Sequence, residues 1–130
     1  MKIATTPYIG LPFADHGRGP AFDCWGLVRH VLQRECGIEL PDYGDTYPSH
    51  RDHSGVAGAI EQGSVVGWRR VETPCVGCVV VFRIAGRPWH VGLVVGTDRF
   101  LHIPEGETSC IERLSAAMWA RRIEGFYCRE

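Results

Sequence analysis

The clearest hydrophobic pattern in the chain is one stripe with helical spacing that begins at residue 24. Apolar side chains recur at intervals that place them on one helix face; they are Cys24, Leu27, Val28, Val31 and Leu32. Asp23 stands where an N-cap is expected, and Gly37 stands where a left-handed residue ends a helix. The pattern predicts an amphipathic helix over Cys24–Cys36 that packs its apolar face on a core.

The segments around this helix are less regular. Residues 9–22 are rich in glycine and proline, which predicts a loop leading into the helix. A second, weaker helix is predicted from about Val56 to Gln62, with Ser54 as its cap.

From Val65 onward the pattern changes to short apolar runs separated by turn residues, which is typical of strands. The predicted strands are Val66–Val71, Cys78–Ile84, Trp89–Val95, Phe100–Ile103, Ser109–Leu114 and Ile123–Cys128, with a short helix near Ala116–Arg121. Because one helix comes first and antiparallel strands follow, we predict an α+β fold in which the N-terminal helix packs on an antiparallel sheet.

Length and composition add limits to this picture. With 130 residues, 45% of them apolar and 22% charged, the chain has material for one core, so we predict a single domain over residues 1–130. The net charge is -1 without long runs of one sign, so nothing points to nucleic acid or anionic lipid. No apolar run is long enough for a signal peptide or a membrane span. We therefore expect synthesis in the cytoplasm and no membrane insertion.

Six cysteines occur, at positions 24, 36, 75, 78, 110 and 128. A chain of this length with its own core does not need disulfides, so most of these thiols are expected to be small buried hydrophobic groups. Cys75 and Cys78 form a C-x-x-C pair, which is half of a zinc site, but no second pair has ligand spacing. We expect no metal and no cofactor, with the zinc site as the alternative.

Cys24 has two interpretations. It shares its helix face with four aliphatic residues, which favours a core cysteine. Its place in the first helical turn favours a nucleophile, because unpaired N–H groups and the macrodipole stabilise a thiolate there. The neighbouring Asp23 opposes this effect. On the second interpretation we expect a lowered pKa for the Cys24 thiol and selective alkylation near neutral pH.

Two histidines interrupt the apolar strands that follow. His90 opens the run of Trp89–Val95, and His102 lies within Phe100–Ile103. Either one alone is explained as a core histidine that has found a hydrogen-bond partner. Together with Cys24 they provide a nucleophile, a base and a residue that orients the base, which is the set that acyl transfer requires.

This triad places a condition on the hairpin that joins the two strands. A plain two-residue turn at Thr97–Asp98 would set His102 opposite Leu93, and side chains alternate along a strand. The two histidines would then lie on opposite faces of the sheet. We therefore predict a β-bulge or an odd-numbered loop between Val94 and His102, supplied by a positive φ at Gly96, with both imidazoles on the face toward Cys24.

Three blocks of the sequence resemble a known family. Residues 23–28 (DCWGLV), 90–96 (HVGLVVG) and 100–102 (FLH) are similar, in order and spacing, to the motifs of the NlpC/P60 cysteine peptidases. The tryptophan after the cysteine resembles the phage-tail branch of that family, as do residues 8–13 (YIGLPF) and 40–43 (LPDY).

The resemblance implies a papain-like α+β fold and hydrolysis of peptidoglycan stem peptides at the bond between D-γ-glutamate and a diamino acid. The phage-tail branch implies a tail-tip component that contacts other tail-tip proteins and opens the cell wall locally. In the implied mechanism Cys24 attacks the amide carbonyl, its backbone N–H stabilises the oxyanion, and His90 protonates the leaving amine.

Asp23, Trp25 and Phe13 are the substrate-binding candidates that the resemblance implies. Two of them depart from the family pattern, because Trp25 replaces a serine and Phe13 replaces a tyrosine whose hydroxyl is lost. A third departure is Gly77-Cys78, where much of the family has Gly-Asp. Two alternatives remain: a structural tail or adaptor domain without activity, and a hydrolase of the same fold that acts on another amide or on a thioester.

Overall fold

The computed structural model describes residues 2–43, 60, 67–84 and 87–129. Helix α1 spans Cys24–Cys36 and a second helix of four residues, α2, spans Ala117–Ala120, while Thr6–Tyr8 form a 3-10 turn. The strands are β1 (Trp68–Val71), β2 (Val79–Ile84), β3 (Arg87–Gly96), β4 (Arg99–His102), β5 (Cys110–Arg113) and β6 (Ile123–Arg129).

The strands form one sheet in the order β1-β6-β2-β3-β4-β5, and every neighbouring pair is antiparallel. Consecutive strands from β2 to β5 are neighbours, whereas β6 returns to pair with β2 and separates it from β1. The predicted α+β fold is therefore confirmed.

Both faces of this sheet are buried, which explains the continuous apolar run of β2. Because side chains alternate along a strand, successive residues of β2 point into two different cores. The helix-side core joins the apolar stripe of α1 to Val79, Val81, Val91, Leu93, Leu101 and Ile103. The Trp119-side core contains Cys78, Val80, Phe82, Val94, Phe100, Leu114 and Trp119.

Each predicted strand is present, with bounds that differ by a few residues, and α1 has the predicted bounds. The helix predicted over Val56–Gln62 lies outside the described residues except for Ile60, which is helical and buried. None of the helices in the described part of the chain has the length and apolar content needed to span a bilayer.

The ends of α1 have the caps that the sequence predicts. The carboxylate of Asp23 accepts a hydrogen bond from the N–H of Gly26 at 2.7 Å. Gly37 adopts a left-handed conformation with φ of 67°, and its N–H donates to the carbonyl of Gln33. The N-cap fixes the first turn, and thus the position of Cys24 in the fold.

The hairpin between β3 and β4 contains the predicted irregularity. Gly96 pairs with Arg99, but Val94 pairs with Phe100, so Val95 is an extra residue on β3. Gly96 does not supply the positive φ, and this part of the prediction was wrong. Asp98 adopts a φ of 59° instead, and its carboxylate accepts a hydrogen bond from the N–H of Ser115 at 2.8 Å. Aspartate tolerates this conformation because its short polar side chain bonds locally.

Gly26 allows a loop to lie directly against the first turn of α1. A Cβ at this position would collide with the carbonyl oxygen of Gly17 and come within 3.0 Å of the Arg18 guanidinium. We expect Gly26→Ala to lower the free energy of unfolding by about 1–3 kcal/mol, because backbone has to move. Chemical denaturation measures the change.

Gly96→Ala is the matched control. A Cβ at Gly96 meets nothing closer than the Cβ of Arg99 at 3.8 Å, and the residue has no positive φ. This variant should keep the stability of the parent protein or gain slightly. Equal losses for both variants would contradict the close contact at Gly26.

Candidate active site

Cys24 is the first residue of α1 and is only 2% exposed. The backbone N–H groups of Val91 and Trp25 donate hydrogen bonds to its sulfur. The nitrogen of Val91 is bonded to the carbonyl carbon of His90, so the thiol lies within one peptide unit of this histidine.

The acidity of Cys24 differs from the sequence prediction. Burial, with a smaller contribution from the Asp23 carboxylate, raises the pKa of the Cys24 thiol to about 12. The two backbone hydrogen bonds and Arg18 lower it, but less than burial raises it. The predicted lowered pKa was therefore wrong, because the loss of water around a buried thiolate outweighs the helix N-terminus. A nucleophilic Cys24 in this structure needs a base that removes its proton as it attacks.

His90 and His102 are brought together by the bulge at Val95. His90 Nε2 lies 2.8 Å from His102 Nδ1, and His102 Nε2 lies 2.6 Å from a carboxylate oxygen of Glu112. His90 is 5% exposed and His102 is fully buried, so the contact between the two rings is shielded from water. Three side chains from β3, β4 and β5 thus form one hydrogen-bonded chain.

This chain determines which ring nitrogens carry protons. An ionised Glu112 only accepts, so His102 Nε2 is the donor in their contact. Burial lowers the pKa of His102 more than Glu112 raises it, so the ring is neutral near pH 7 and its Nδ1 is an acceptor. His90 Nε2 must therefore donate to it, which leaves a lone pair on Nδ1 of a neutral His90. That nitrogen has the form of a general base.

The position of the two imidazoles corrects one sequence prediction. Their rings contact Trp119 at centroid distances of 5.9 Å for His90 and 4.8 Å for His102, in the Trp119-side core. Cys24 belongs to the helix-side core together with Val91. The rings thus do not lie on the face that α1 covers, because His90 and Val91 are adjacent and point to opposite sides. The sulfur of Cys24 contacts the backbone of β3, at the N–H of Val91.

Glu112 is a residue that the sequence analysis missed. It lies on β5, paired with Phe100, so it is the diagonal neighbour of His102, which pairs with Cys110. Its side chain is 31% exposed, so this end of the hydrogen-bonded chain reaches the protein surface. A glutamate inside the predicted strand Ser109–Leu114 was the available signal, but without the register of β4 and β5 it looks like an ordinary solvent-facing residue.

Asp23 precedes Cys24 directly, and its carboxylate is fully buried. Besides capping α1 it accepts a hydrogen bond from Arg18 at 3.0 Å. Arg18 also donates two hydrogen bonds to the carboxylate of Asp42, at 2.8 and 3.0 Å. Arg18, which the sequence analysis did not select, thus compensates the negative charge beside the thiol. The substrate-binding role of Asp23 stays a prediction.

Trp25 and Phe13, the other two substrate-binding candidates, are placed differently. Trp25 is 1% exposed, its indole N–H donates to the carbonyl of Pro41 at 3.1 Å, and its ring packs against Tyr43. It holds the chain that follows α1 rather than lining an open surface. Phe13 is partly exposed and bridges to Phe22, just before the nucleophile. Their roles in binding remain predictions.

The cysteines also differ from expectation. Cys78 and Cys128 are joined in a disulfide, although the sequence analysis expected most of the cysteines to be small buried thiols that need no disulfide. Antiparallel pairing of β2 with β6 brings them face to face across a sequence separation of 50 residues, which no local pattern reveals. Cys36 and Cys110 are partly exposed.

A cysteine at a helix N-terminus and two hydrogen-bonded histidines are the residue types that nucleophilic catalysis by cysteine uses. Residues 10–127 match the model of the NlpC/P60 family, and this chain belongs to that family.

Two curated relatives and one solved structure illustrate the similarity. The chain is 28% identical over 120 residues to the gamma-DL-glutamyl hydrolase of Bacillus subtilis (strain 168), covering 91% of this chain and 26% of that protein. It is 27% identical over 100 residues to the murein DD-endopeptidase MepS/murein LD-carboxypeptidase of Escherichia coli (strain K12), covering 77% of this chain and 45% of that protein. The chain thus spans less than half the length of these relatives.

The solved structure of an NLP/P60 family protein similar to lipoprotein, from Staphylococcus aureus subsp. aureus Mu50, has the same fold. It superposes with a TM-score of 0.65 at 24% identity, over 96% of this chain and 38% of that one.

The buried His102 makes stability depend on pH. Its pKa is lowered in the folded state from the usual 6.5, mainly by burial. Below about pH 6.5 the unfolded chain binds a proton that the folded protein does not, so the free energy of unfolding should fall as the pH decreases. Thermal melts of the parent and of His102→Gln, from about pH 7.5 to pH 5, measure how much of this pH dependence of stability is due to His102.

His30→Gln is the control for this experiment, because burial and Arg34 also lower the pKa of His30. Each substitution removes one histidine with a lowered pKa, so the free energy of unfolding of each variant should fall less steeply with decreasing pH than that of the parent. A His102→Gln protein that loses stability with acid as steeply as the parent would contradict the neutral, buried His102.

The raised pKa of Cys24 predicts slow alkylation. The rate with iodoacetamide should rise about tenfold per pH unit from pH 7 to pH 10, because the thiolate fraction rises by that factor. Mass spectrometry of the modified peptides separates Cys24 from the exposed Cys75. A plateau of the Cys24 rate below about pH 8 would show that an ion pair with His90 keeps the thiolate formed.

Proposed function

We propose that this protein is a cysteine hydrolase of peptidoglycan stem peptides, with Cys24 as nucleophile, His90 as base and His102 as the residue that orients the base. The observation that carries the proposal is the chain from Glu112 through His102 to His90, together with the hydrogen bond from the N–H of Val91, the residue after His90, to the Cys24 sulfur. A histidine chain of this kind explains why polar groups are kept in two apolar strands.

The reaction follows from the protonation states of the chain. As the Cys24 sulfur attacks the amide carbonyl carbon, its proton passes to Nδ1 of His90, and the resulting imidazolium is stabilised through His102 by Glu112. Helix N-terminal N–H groups, that of Cys24 first, stabilise the oxyanion. His90 then protonates the leaving amine as the C–N bond breaks, and water hydrolyses the thioester to release the acid.

The substrate class is supported by the names of the relatives. One is a gamma-DL-glutamyl hydrolase and the other a murein endopeptidase and carboxypeptidase. We infer that the bond cleaved is an amide of a stem peptide, and the γ-D-glutamyl–diamino acid bond is our first choice. This chain covers only 26% and 45% of the length of these two relatives, so the bond is to be identified by experiment.

The biological setting is inferred from sequence motifs alone. The tryptophan at position 25 and the segments 8–13 and 40–43 resemble the phage-tail branch of the family. We propose a tail-tip component that meets the cell wall and neighbouring tail-tip proteins during infection.

A second candidate is a structural domain of the same fold without activity. The observation that favours it is the burial of Cys24, which is 2% exposed and has a pKa raised to about 12. The digestion experiment below separates the two, because a structural domain releases no fragments.

We expect Cys24→Ser and His90→Ala to reduce hydrolysis of purified peptidoglycan by roughly 10⁴-fold or more while the domain stays folded. His102→Ala should retain more activity, because an orienting residue acts through geometry and charge stabilisation. Mass spectrometry of the released muropeptides measures the rate and identifies the bond, and circular dichroism checks the fold.

Two further variants sharpen this test. Cys36→Ser is the matched control, since Cys36 lies at the opposite end of α1, and it should keep full activity. Glu112→Gln retains an acceptor for His102 and should keep more activity than Glu112→Ala, which has none. Full activity of His90→Ala would rule out the mechanism, and a parent protein that releases no fragment would favour the structural domain.

A further inference from the structure

Three cysteines meet where β2 begins and β6 ends, at the end of this strand pair that is remote from the histidines. Cys75 and Cys78 flank a tight turn in which the N–H of Cys78 donates to the carbonyl of Cys75 at 3.0 Å. Gly77 has a φ of 96°, the positive value that such a turn requires at its third residue. The turn brings the two sulfurs to 3.1 Å.

The third cysteine comes from the last strand. Val79 pairs with Tyr127, so Cys78, one residue before β2, lies opposite Cys128 in the antiparallel pair. The sulfur of Cys128 lies 3.8 Å from that of Cys75, and Cys78 is joined to Cys128 in the disulfide. The pairing that builds the sheet therefore also assembles the three sulfurs.

We propose that Cys75, Cys78 and Cys128, when reduced, bind one thiophilic metal ion of the zinc type. The ligand atoms of the three residues all lie within 4.8 Å of one another. In a tetrahedral site with zinc–sulfur bonds of about 2.3 Å, two ligand sulfurs lie about 3.8 Å apart. Cys75 and Cys128 already have this separation, and the other two pairs of sulfurs reach it by moving apart once the disulfide is reduced. The C-x-x-C turn supplies the local pair of ligands, as in structural zinc sites.

The position of Cys75 favours a metal site over a simple thiol–disulfide exchange. A thiolate that attacks a disulfide approaches along the sulfur–sulfur axis, so its distances to the near and far sulfurs differ by a bond length of about 2 Å. For Cys75 these distances are 3.1 and 3.8 Å, so its sulfur lies beside the bond and close to both partners. Three sulfurs arranged around a common centre are what a single ion requires.

The disulfide and the metal site are alternative states of the same sulfurs. A dithiol reductant, or two molecules of a monothiol, supplies the two electrons and two protons that convert the disulfide to two thiols and is itself oxidised to a disulfide. The ion then replaces the protons of the three thiols. Cys75 is exposed, so the fourth ligand comes from the solvent side.

This site does not take part in the proposed reaction and does not depend on it. Phe82 pairs with His90, and Cys78 lies four residues before Phe82 on the same strand, on the order of 13 Å away. A bound ion would instead fasten the C-terminal strand to the turn before β2. A second group of suitable atoms in the described chain, His102, Cys110 and Glu112, belongs to the candidate active site.

The test is a zinc titration of the full chain, reduced with a phosphine, in competition with a chromophoric chelator. We expect one ion per chain, a higher thermal midpoint with zinc, and a thiolate-to-metal charge-transfer band with Co²⁺. Cys75→Ser should weaken zinc binding at least about tenfold, the size of effect that even an outer-sphere change produces. Cys75 is exposed, so this variant is expected to fold.

Cys36→Ser and Cys110→Ser are the matched controls, and both should bind zinc like the parent. In a second measurement, zinc should protect Cys75, Cys78 and Cys128 of the reduced parent from N-ethylmaleimide while Cys36 still reacts. The proposal is overturned if the reduced parent binds no zinc, if Cys75→Ser binds as tightly as the parent, or if Cys110→Ser abolishes binding. These readouts do not involve hydrolysis, so a failure here leaves the proposed function untouched.

Discussion

The extra residue at Val95 is the constraint on which the candidate site depends. Side chains on a strand alternate between two faces, and both faces of this sheet are buried, so a shift of one residue would exchange the two cores along β4. With the bulge, Leu101 pairs with Leu93 and His102 comes to the face of His90. Without it, His102 would point among the aliphatic residues beneath α1, where no partner for an imidazole is described.

The same register controls the far end of the hydrogen-bonded chain. Pairing of Phe100 with Glu112 places the glutamate diagonally across from His102, so the carboxylate reaches the ring nitrogen that does not face His90. The aromatic rings of Phe82, Phe100 and Trp119 surround the imidazoles and exclude water. A dry environment lowers the pKa of His102 and makes its hydrogen bond with His90 worth more than it would be in water.

Burial also determines the electrostatic environment of Cys24. Burial makes the thiolate costly, and the negative Asp23 beside it adds to the cost. Asp23 caps the helix that carries Cys24, and Arg18 offsets its charge. The site therefore keeps a neutral thiol until a base removes its proton, which is consistent with an imidazole whose accepting nitrogen is fixed by its neighbours. At the far end of β2, three sulfurs are gathered by the pairing of β2 with β6 and by the turn that joins Cys75 to Cys78.

The local elements were predictable from the sequence because their causes are local. The spacing from Cys24 to Leu32, the caps at Asp23 and Gly37, and the apolar runs of the strands predict α1 and the sheet without any tertiary information. Even the irregular hairpin was predictable, because two histidines that act together must share a face.

What the sequence could not decide are quantities that depend on neighbours distant in the chain. The pKa of Cys24 depends on how completely the fold buries it, and the role of Glu112 depends on the register between β4 and β5. The meeting of Cys78 with Cys128 depends on the return of β6 to the middle of the sheet, since residues 50 apart carry no periodic signal of their contact.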